Sequence, residues 1–387
     1  MKLAQLVSSL ASALLTAQVQ AADDPSPVKR APAPFSDFTN NVVFKPRSDY
    51  TNWKTIYGRS VQLPDDSLLV TWEDYAPEPP LAHFPIWKSV DGGATWFDFV
   101  NVTDQVNGWG LRYQPHFFTL PQDLGKYKAG TIILSGMSLP ADLSEAWLDM
   151  YTSIDGGETW QFASHVVYAP GPETVQNGDK AVWEPFLLIH DNQLICYFSD
   201  QRDPNHAQKL AHLVTKDLKT WSEPVDDVAH STYEDRPGMA TVAHVKSTNK
   251  YIMTYEVCGL PGCPSYYKVA SSPYTFGQAQ ENKVLSNTTN DSPGSSPYVI
   301  WTPHPKRNDG LGLIIMNGAG REEVFINEDS AKPDGWKMVN VGQWSAHSRA
   351  LKLINVKGKK KLMMTNAGNM RTDADNYVVV GVVEVPT

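Results

Sequence analysis

The sequence of 387 residues predicts an all-β protein folded as a six-bladed β-propeller. Three observations predict this fold: a turn octapeptide that occurs twice, a strand pattern that recurs six times, and the scarcity of helical periodicity in any long window. Such recurrence is typical of an architecture in which each repeat is one four-stranded sheet. Residues 35–387 are therefore interpreted as a single propeller domain.

The octapeptide is SVDGGATW at residues 89–96 and SIDGGETW at residues 153–160, and a degenerate copy, TKDLKTW, follows at 215–221. In a hairpin turn, Asp accepts hydrogen bonds from backbone N–H groups, Gly adopts positive φ, and Trp packs beneath the turn. The pattern resembles the Asp-box of sialidase-like propellers, which lies at the rim of the propeller. We therefore expect Asp91 and Asp155 to stabilise the fold and not to catalyse.

The recurring strand pattern places a polar residue, often followed by proline, at the start of an apolar strand, and a second apolar strand follows. The repeats are about 50–70 residues apart, which is longer than a compact four-stranded blade of ~40–50 residues because loops are inserted. The first strand of each blade lines the central axis, so the residues that begin these strands meet at one mouth. We expect six side chains around this funnel: Arg59, Gln114, Glu184, Arg236, Ser296 and Arg349.

The ends of the second strands are expected just outside that ring. They carry mainly carboxylate and amide side chains: Glu73, Asp74, Asp200, Glu256, Asn317 and Asn366. Two further apolar runs, at 41–44 and 377–385, lie outside the six repeats. Pairing of these two runs is predicted to close the ring.

The first 34 residues are predicted to be absent from the mature fold. Lys2, an apolar run over 3–17 and the small-residue site Val19-Gln20-Ala21 are typical of a signal peptide over residues 1–21. The run is too short to cross a bilayer, so no membrane association is expected. Residues 22–34, which contain the dibasic pair Lys29-Arg30, are predicted to be a pro-segment or a disordered linker. The protein is therefore expected to be secreted and extracellular.

Two further predictions agree with a secreted chain. Three sequons predict glycosylation at Asn101, Asn287 and Asn290. Cys258 and Cys263 enclose a tight Gly-Leu-Pro-Gly turn that a disulfide would close, whereas Cys196 lies in an apolar strand and is expected to be free.

Charge and motif content exclude several classes of function. A net charge of −9 argues against a nucleic-acid partner and suits a neutral or weakly charged substrate. The sequence contains no H-x-x-x-H or C-x-x-C pair, so no metal or other cofactor is expected. It also lacks the G-x-S-x-G motif of serine hydrolases.

The segments Trp183-Glu184-Pro185-Phe186 and Tyr255-Glu256-Val257-Cys258-Gly259 resemble the catalytic segments of family 93 glycoside hydrolases. The resemblance covers essentially the whole mature chain. It implies a secreted exo-α-1,5-L-arabinanase that releases arabinobiose from arabinan, a pectin side chain, with retention of configuration. By position, it implies that Glu184 is the acid/base and Glu256 the nucleophile. We expect a monomer.

The two glutamates also suit this chemistry on their own terms, because a retaining glycosidase needs two carboxyl groups about 5–5.5 Å apart, one protonated and one ionised. The apolar neighbours of Glu184 predict a raised pKa, and Arg236 or Arg202 is expected to keep Glu256 ionised. The substrate-binding candidates are Arg59, Gln114, Trp183, Asp200, Arg236, Tyr255 and Arg349. Further aromatic side chains, Trp72, Trp109 and Trp344, are either sugar platforms or core.

Two alternatives remain open. An exo-sialidase would use an arginine triad such as Arg59, Arg236 and Arg349, but the Phe-Arg-Ile-Pro motif of that family is absent and the nearest segment is His83-Phe84-Pro85-Ile86. A non-catalytic sugar-binding propeller would favour near-identical pockets in every blade. Here the residues that begin the first strands differ from blade to blade.

Overall fold

The computed structural model describes residues 35–371 and 375–387. Within these ranges the chain forms six four-stranded antiparallel sheets, with one short 3-10 helix over Phe276–Gln278. The all-β propeller predicted from the sequence is confirmed. None of the described helices has the length and apolar character needed to span a bilayer. The predicted signal peptide and pro-segment lie outside the described residues.

The first three blades each consist of four consecutive strands. Blade 1 comprises β2 (Thr55–Gln62), β3 (Leu68–Asp74), β4 (Phe84–Ser89) and β5 (Phe97–Val102). Blade 2 comprises β6 (Leu111–Thr119), β7 (Ile132–Ser138), β8 (Ala146–Ser153) and β9 (Gln161–Ala169). Blade 3 comprises β10 (Val182–His190), β11 (Gln193–Asp200), β12 (Lys209–Thr215) and β13 (Val225–Val228).

The fourth and fifth blades repeat this order, and the sixth departs from it. Blade 4 comprises β14 (Pro237–Val245), β15 (Lys250–Val257), β16 (Ser265–Ala270) and β17 (Glu281–Lys283). Blade 5 comprises β18 (Tyr298–Thr302), β19 (Leu313–Asn317), β20 (Glu323–Asn327) and β21 (Trp336–Asn340). Blade 6 comprises β22 (Ala350–Val356), β23 (Lys359–Asn366), β24 (Val378–Val383) and β1 (Phe38–Phe44).

Blade 6 closes the ring because its outer strand, β1, comes from the beginning of the propeller. β1 pairs antiparallel with β24, with Phe38 opposite Val382 and Val42 opposite Val379. This is the pairing predicted for the two runs outside the repeats. The first strands of neighbouring blades contact one another, including β2 with both β6 and β22. These strands therefore surround the central axis.

The core lies between blades, where apolar side chains of adjacent sheets interdigitate. Between blades 3 and 4, for example, Ile195 and Tyr197 pack with Val242 and Met253, and all four are buried. β-Branched and aromatic residues suit such strands because they pack well on a pleated surface. Blade-to-blade packing thus fixes how the ends of the strands converge at the mouth.

The two octapeptides form matching turns between the third and fourth strands of blades 1 and 2. Asp91 Oδ1 accepts hydrogen bonds from Thr95 N at 2.9 Å and Ser89 Oγ at 2.8 Å, and Trp96 Nε1 donates to Gly93 O. Asp155 repeats these contacts in blade 2. Ser89 pairs with Leu68, the first residue of β3, so these turns lie at the end of the blade opposite Glu73.

Candidate active site

A cavity of about 570 Å³ opens at the face where the first strands begin and the second strands end. Four carboxyl groups line it, from Glu73, Glu173, Glu184 and Glu256. Five aromatic side chains share the wall with polar and apolar residues: Trp53, Tyr57, Tyr75, Tyr113 and Trp183. Buried acids beside aromatic surfaces are the residue types expected of a carbohydrate hydrolase.

The first strands of blades 1 to 4 each contain a bulge, and in blades 1 to 3 the bulge residue lines this cavity. The strand register shifts between Trp183 and Phe186 in blade 3, and equivalent shifts occur in blades 1, 2 and 4. One residue at each bulge adopts positive φ, which is uncommon for residues other than glycine and points the side chain away from the strand face. With the matching residue of blade 5, these residues are Tyr57, Gln114, Glu184, Met239 and Ser296.

The bulges correct the register expected from the sequence. Arg59 and Arg236 were expected to occupy the positions of Gln114 and Glu184, but Tyr57 and Met239 do so. Arg59 follows the bulge of blade 1 by two residues and points beneath the cavity. Its guanidinium donates to Gly58 O and Ser348 Oγ, both at 3.0 Å.

Backbone N–H groups of these positive-φ residues also donate hydrogen bonds to the second strand of the preceding blade. Gln114 N donates to Glu73 Oε2 at 3.0 Å, and Ser296 N donates to Glu256 Oε2 at 2.6 Å. Glu73 and Glu256 occupy equivalent positions, because each pairs with the residue directly before its own blade's bulge. One backbone arrangement therefore orients a carboxylate in two different blades.

Glu184 accepts three hydrogen bonds. Its Oε2 receives Ser199 Oγ at 2.8 Å and Met239 N at 2.9 Å, and its Oε1 receives the Tyr57 hydroxyl at 3.4 Å. Burial raises the pKa of the Glu184 carboxyl above its ordinary value, while these three donors favour its ionised form.

Glu256 has fewer donors. Apart from the bond from Ser296 N, its Oε1 lies 3.2 Å from Cys258 Sγ, which has no hydrogen to donate because Cys258 and Cys263 form a disulfide. Burial, and next the charge of Glu184, raise the pKa of Glu256 to about 8. The predicted disulfide is present, and Cys196 is free and buried. The two sulfurs beside Glu256 therefore offer no thiolate for a metal.

Gly238 leaves the space between the two glutamates open. It pairs with Glu256 across β14 and β15. A Cβ at this position would lie 3.4 Å from Glu256 Oε1, 3.5 Å from Ser199 Oγ and only 2.6 Å from Gln208 Nε2. A larger residue here would thus displace Gln208 and press on the groups that hold both carboxyls.

Arg236 is the cation of the cavity. It donates to Gln208 Oε1 at 3.0 Å, to Asn177 Oδ1 at 3.1 Å and to Val175 O. These contacts tie the 171–181 loop to the cavity wall, and the charge of Arg236 lowers the pKa of both glutamates against the larger effect of burial. Arg202, the other expected partner of Glu256, instead pairs with Asp200 at 2.7 Å.

Two more acids, Glu73 and Glu173, line the cavity, and burial favours the protonated form of both. Burial raises the pKa of Glu73 to about 7, although the Tyr75 hydroxyl donates to its Oε1 at 2.5 Å. Burial raises the pKa of Glu173 to about 8; its Oε1 accepts from Val182 N, whereas its buried Oε2 has no partner.

Of the expected substrate-binding residues, Gln114, Trp183 and Arg236 line the cavity. The other four expected residues do not line the cavity, so the prediction that they bind substrate there is wrong: Arg59, Asp200, Tyr255 and Arg349. The Tyr255 side chain is fully buried and its hydroxyl donates to Glu281 Oε2. Arg349 is 1% exposed and donates to backbone carbonyls of blade 5, including Glu323 O at 2.6 Å.

Several cavity residues were not expected as site residues from the sequence: Trp53, Tyr57, Tyr75, Tyr113, Glu173, Gln208 and His347. Tyr57 could have been predicted from the repeat, because Tyr57-Gly58 in blade 1 occupies the place of Glu184-Pro185 in blade 3. Glu173 lies on a loop without any repeat pattern, so no comparable signal marked it.

Comparison with known proteins identifies the family, although no family model and no curated protein matches the chain. A solved structure of the family 93 α-L-arabinofuranosidase of Fusarium graminearum, in complex with arabinobiose, is 40% identical. The match covers 90% of this chain and 98% of that one, with a TM-score of 0.86. The chain belongs to glycoside hydrolase family 93.

Other solved structures place this family 93 chain among propellers. Penicillium chrysogenum α-L-arabinanase complexed with arabinobiose is 39% identical over 90% of this chain and 98% of that one, with a TM-score of 0.85. The NanB sialidase of Streptococcus pneumoniae is 11% identical over 90% of this chain and 71% of that one, with a TM-score of 0.57. The sialidase therefore shares the fold alone.

Proposed function

We propose that this family 93 protein is a secreted exo-α-1,5-L-arabinanase that releases arabinobiose from chain ends with retention of configuration. The observation that carries the proposal is the pair of buried carboxyls, Glu184 and Glu256, in one cavity of a chain so similar to enzymes solved with arabinobiose. A neutral sugar suits a cavity whose wall contains five aromatic side chains and whose charged groups are mostly hydrogen-bonded to protein groups.

The hydrogen bonds favour different protonation states, and therefore different roles, for the two acids. Glu184 accepts three hydrogen bonds and Glu256 accepts one from a backbone N–H, so the single negative charge that the pair holds most easily resides on Glu184. Glu184 is then the nucleophile and Glu256 the protonated general acid. This reverses the roles implied by the family resemblance.

The reaction follows from these protonation states. Glu184 Oε attacks the anomeric carbon while Glu256 transfers its proton to the glycosidic oxygen, so the C–O bond breaks and the shortened arabinan leaves as an alcohol. Glu256, now ionised, takes a proton from water, and the resulting hydroxide displaces Glu184 from the sugar. Two displacements at one carbon restore the original configuration.

The contacts of the arginines argue against a sialidase. Recognition of a sialic acid carboxylate would need several arginines facing the cavity. Arg59 and Arg349 are instead engaged with protein oxygens, and only Arg236 of the expected three lines the cavity. The differing bulge residues likewise argue against a sugar-binding propeller built of repeated pockets.

Product analysis tests the proposal. Linear arabinan, a sialoside and a β-glucan are each incubated with the mature protein, and proton NMR of the earliest arabinan product is recorded before mutarotation. We expect arabinobiose alone, first as the anomer of the cleaved linkage. Hydrolysis of the sialoside only, a ladder of arabinan fragments, or the opposite anomer would each contradict part of the proposal. Secretion is tested separately by recovering the processed protein from the medium.

A further inference from the structure

A second, polar groove lies beside the catalytic cavity. It has a volume of about 490 Å³ and its lining includes Gly262, Gly294, Arg321, Glu322 and Glu323. Gly262 and Gly294 directly precede Cys263 and Ser295, which line the catalytic cavity. The groove and the cavity are therefore neighbours, separated by the Cys258–Cys263 turn and the backbone at Gly294-Ser295.

The floor of this groove is held in place from below. The buried guanidinium of Arg349 donates to Glu322 O at 3.1 Å and to Glu323 O at 2.6 Å. Gly320 N donates to Ala346 O at 3.2 Å, which joins the loop after β19 to the loop before β22. The backbone is thus fixed, while the side chains of Arg321 and Glu322 face solvent in part.

An exposed tryptophan continues the groove toward blade 6. Trp344 is 49% exposed and, with Glu322, Asn366 and Asn369, lines a hollow of about 260 Å³. Its backbone is tied on both sides, because Trp344 N donates to Asn40 Oδ1 at 2.7 Å and Trp344 O accepts from Asn366 Nδ2 at 2.5 Å. The half-exposed indole is therefore an apolar surface carried on a fixed backbone, among hydrogen-bonding groups.

The position of the acid indicates which part of a substrate would reach this groove. Glu256 Oε1 lies against Cys258 Sγ, on the side of the cavity that leads to the groove. This step rests on the proposed function: a proton donor faces the oxygen of the leaving group, so the chain beyond the cleaved bond lies on the Glu256 side. That chain then passes over the Cys258–Cys263 turn.

We propose that the groove of Arg321, Glu322 and Trp344 binds the leaving-group portion of a neutral polysaccharide chain. Its mixed charges suit hydroxyl groups, which both donate and accept hydrogen bonds. An indole face provides apolar contact area at low entropic cost and suits the apolar face of a furanose ring. Binding here adds affinity for long chains without touching the reacting atoms.

Chain-length dependence of the kinetics tests this groove. kcat/KM is measured on long linear arabinan and on arabinotriose, which has one sugar beyond the cleaved bond, for wild type, Trp344→Ala and Arg321→Ala. We expect Trp344→Ala to lose about tenfold on the polymer, as is typical for truncation of an aromatic contact. On arabinotriose the kcat/KM of both variants should stay within about twofold of wild type, because the trimer is too short to fill the groove and loses no binding energy there.

Phe97→Ala is the matched control, because Phe97 is 47% exposed and directly follows the octapeptide turn at the opposite end of blade 1. It should leave both substrates unaffected. If Trp344→Ala loses kcat/KM equally on polymer and trimer, or on neither, the proposal that the groove binds the leaving-group chain is wrong. Absence of hydrolysis of both substrates by the wild type would instead overturn the proposed function.

Discussion

Ser296 N, at the start of blade 5, donates a 2.6 Å hydrogen bond to Glu256 Oε2 of blade 4. Gln114 N makes the same bond to Glu73 across the boundary between blades 1 and 2. The catalytic candidate is thus oriented by a backbone N–H that any residue except proline supplies, while the positive φ at Ser296 is part of the backbone conformation. Side-chain chemistry at the mouth can therefore vary with little change in the scaffold.

Replacing Glu184 or Glu256 should abolish most activity for different reasons. Each change to Gln should lower kcat on arabinan by ~10²–10⁴-fold or more. With an aryl arabinobioside, whose phenolic leaving group needs no proton, Glu256→Ala should retain most of its glycosylation rate and Glu184→Ala should not. Circular dichroism confirms folding, and Glu158→Gln, on an exposed octapeptide turn, is the control. The opposite pattern on the aryl substrate would restore the roles implied by the resemblance.

The pH profile of kcat/KM should have a basic limb near the pKa of Glu256, which is about 8. The acid form acts below this pH, and activity falls as pH rises through it because the proton donor is lost. The limb should disappear in Glu256→Ala assayed with the aryl substrate. A basic limb that stays in this variant would assign the titration to another group.

Glu173 should make the protein less stable at high pH. Its pKa is raised to about 8 in the fold, so its stabilising contribution is complete below the unfolded pKa of about 4.5 and is lost as pH rises through about 8. Glu173→Gln keeps an acceptor for Val182 N and carries no charge. The decrease in unfolding free energy from pH 5 to pH 9 should therefore be smaller in this variant, by up to about 4 kcal/mol, because each pH unit between 5 and the folded pKa of about 8 corresponds to about 1.4 kcal/mol. An unchanged pH dependence would show that Glu173 does not titrate as described.

Asp91→Ala and Asp155→Ala should affect stability and not catalysis. Each removes the acceptor of a turn, a loss of roughly 0.5–2 kcal/mol, and the turns lie at the end of the blades opposite Glu73. Melting temperature should decrease, while kcat of the folded fraction stays close to wild type. A collapsed kcat in a folded variant would contradict the separation of the two faces.

Removing the disulfide should weaken both the fold and the orientation of Glu256. Cys258 and Cys263 close a short loop, so the double change to Ser should cost about 2 kcal/mol of stability. Because Cys258 Sγ contacts Glu256 Oε1, kcat should decrease more than KM changes. Cys196→Ser, at the free buried cysteine, separates a general loss of stability from the effect on kcat.

The sequence was sufficient for the propeller, the number of blades and the closing strands, since these depend on apolar periodicity and turn chemistry. The prediction that one mouth of the propeller gathers five of the site residues is also correct: Glu184, Glu256, Gln114, Trp183 and Arg236 line one cavity. These residues lie on or next to strands, where a repeat assigns each position to a place on the blade.

The errors arose where the repeat is interrupted. A bulge adds a residue to one strand, and this displaced the expected equivalence of Arg59 and Arg236. Asp200 is one residue beyond Ser199, and the alternation of a strand sends it away from the cavity toward Arg202. The partners of a long side chain such as Arg349 depend on loops of another blade, which no local pattern encodes.

The closing pair of strands has a consequence for how the chain reaches its final shape. β1 is synthesised before the other strands described here, yet among residues 35–371 and 375–387 its strand partner is β24, the last of them. On a ribosome, the strands of five complete sheets emerge before β24 is available to pair with Phe38–Phe44. The two ends must then find each other across the whole circumference, which makes ring closure a late and long-range event. An early translational stop after β23 leaves an incomplete ring, with no strand for β1 to join.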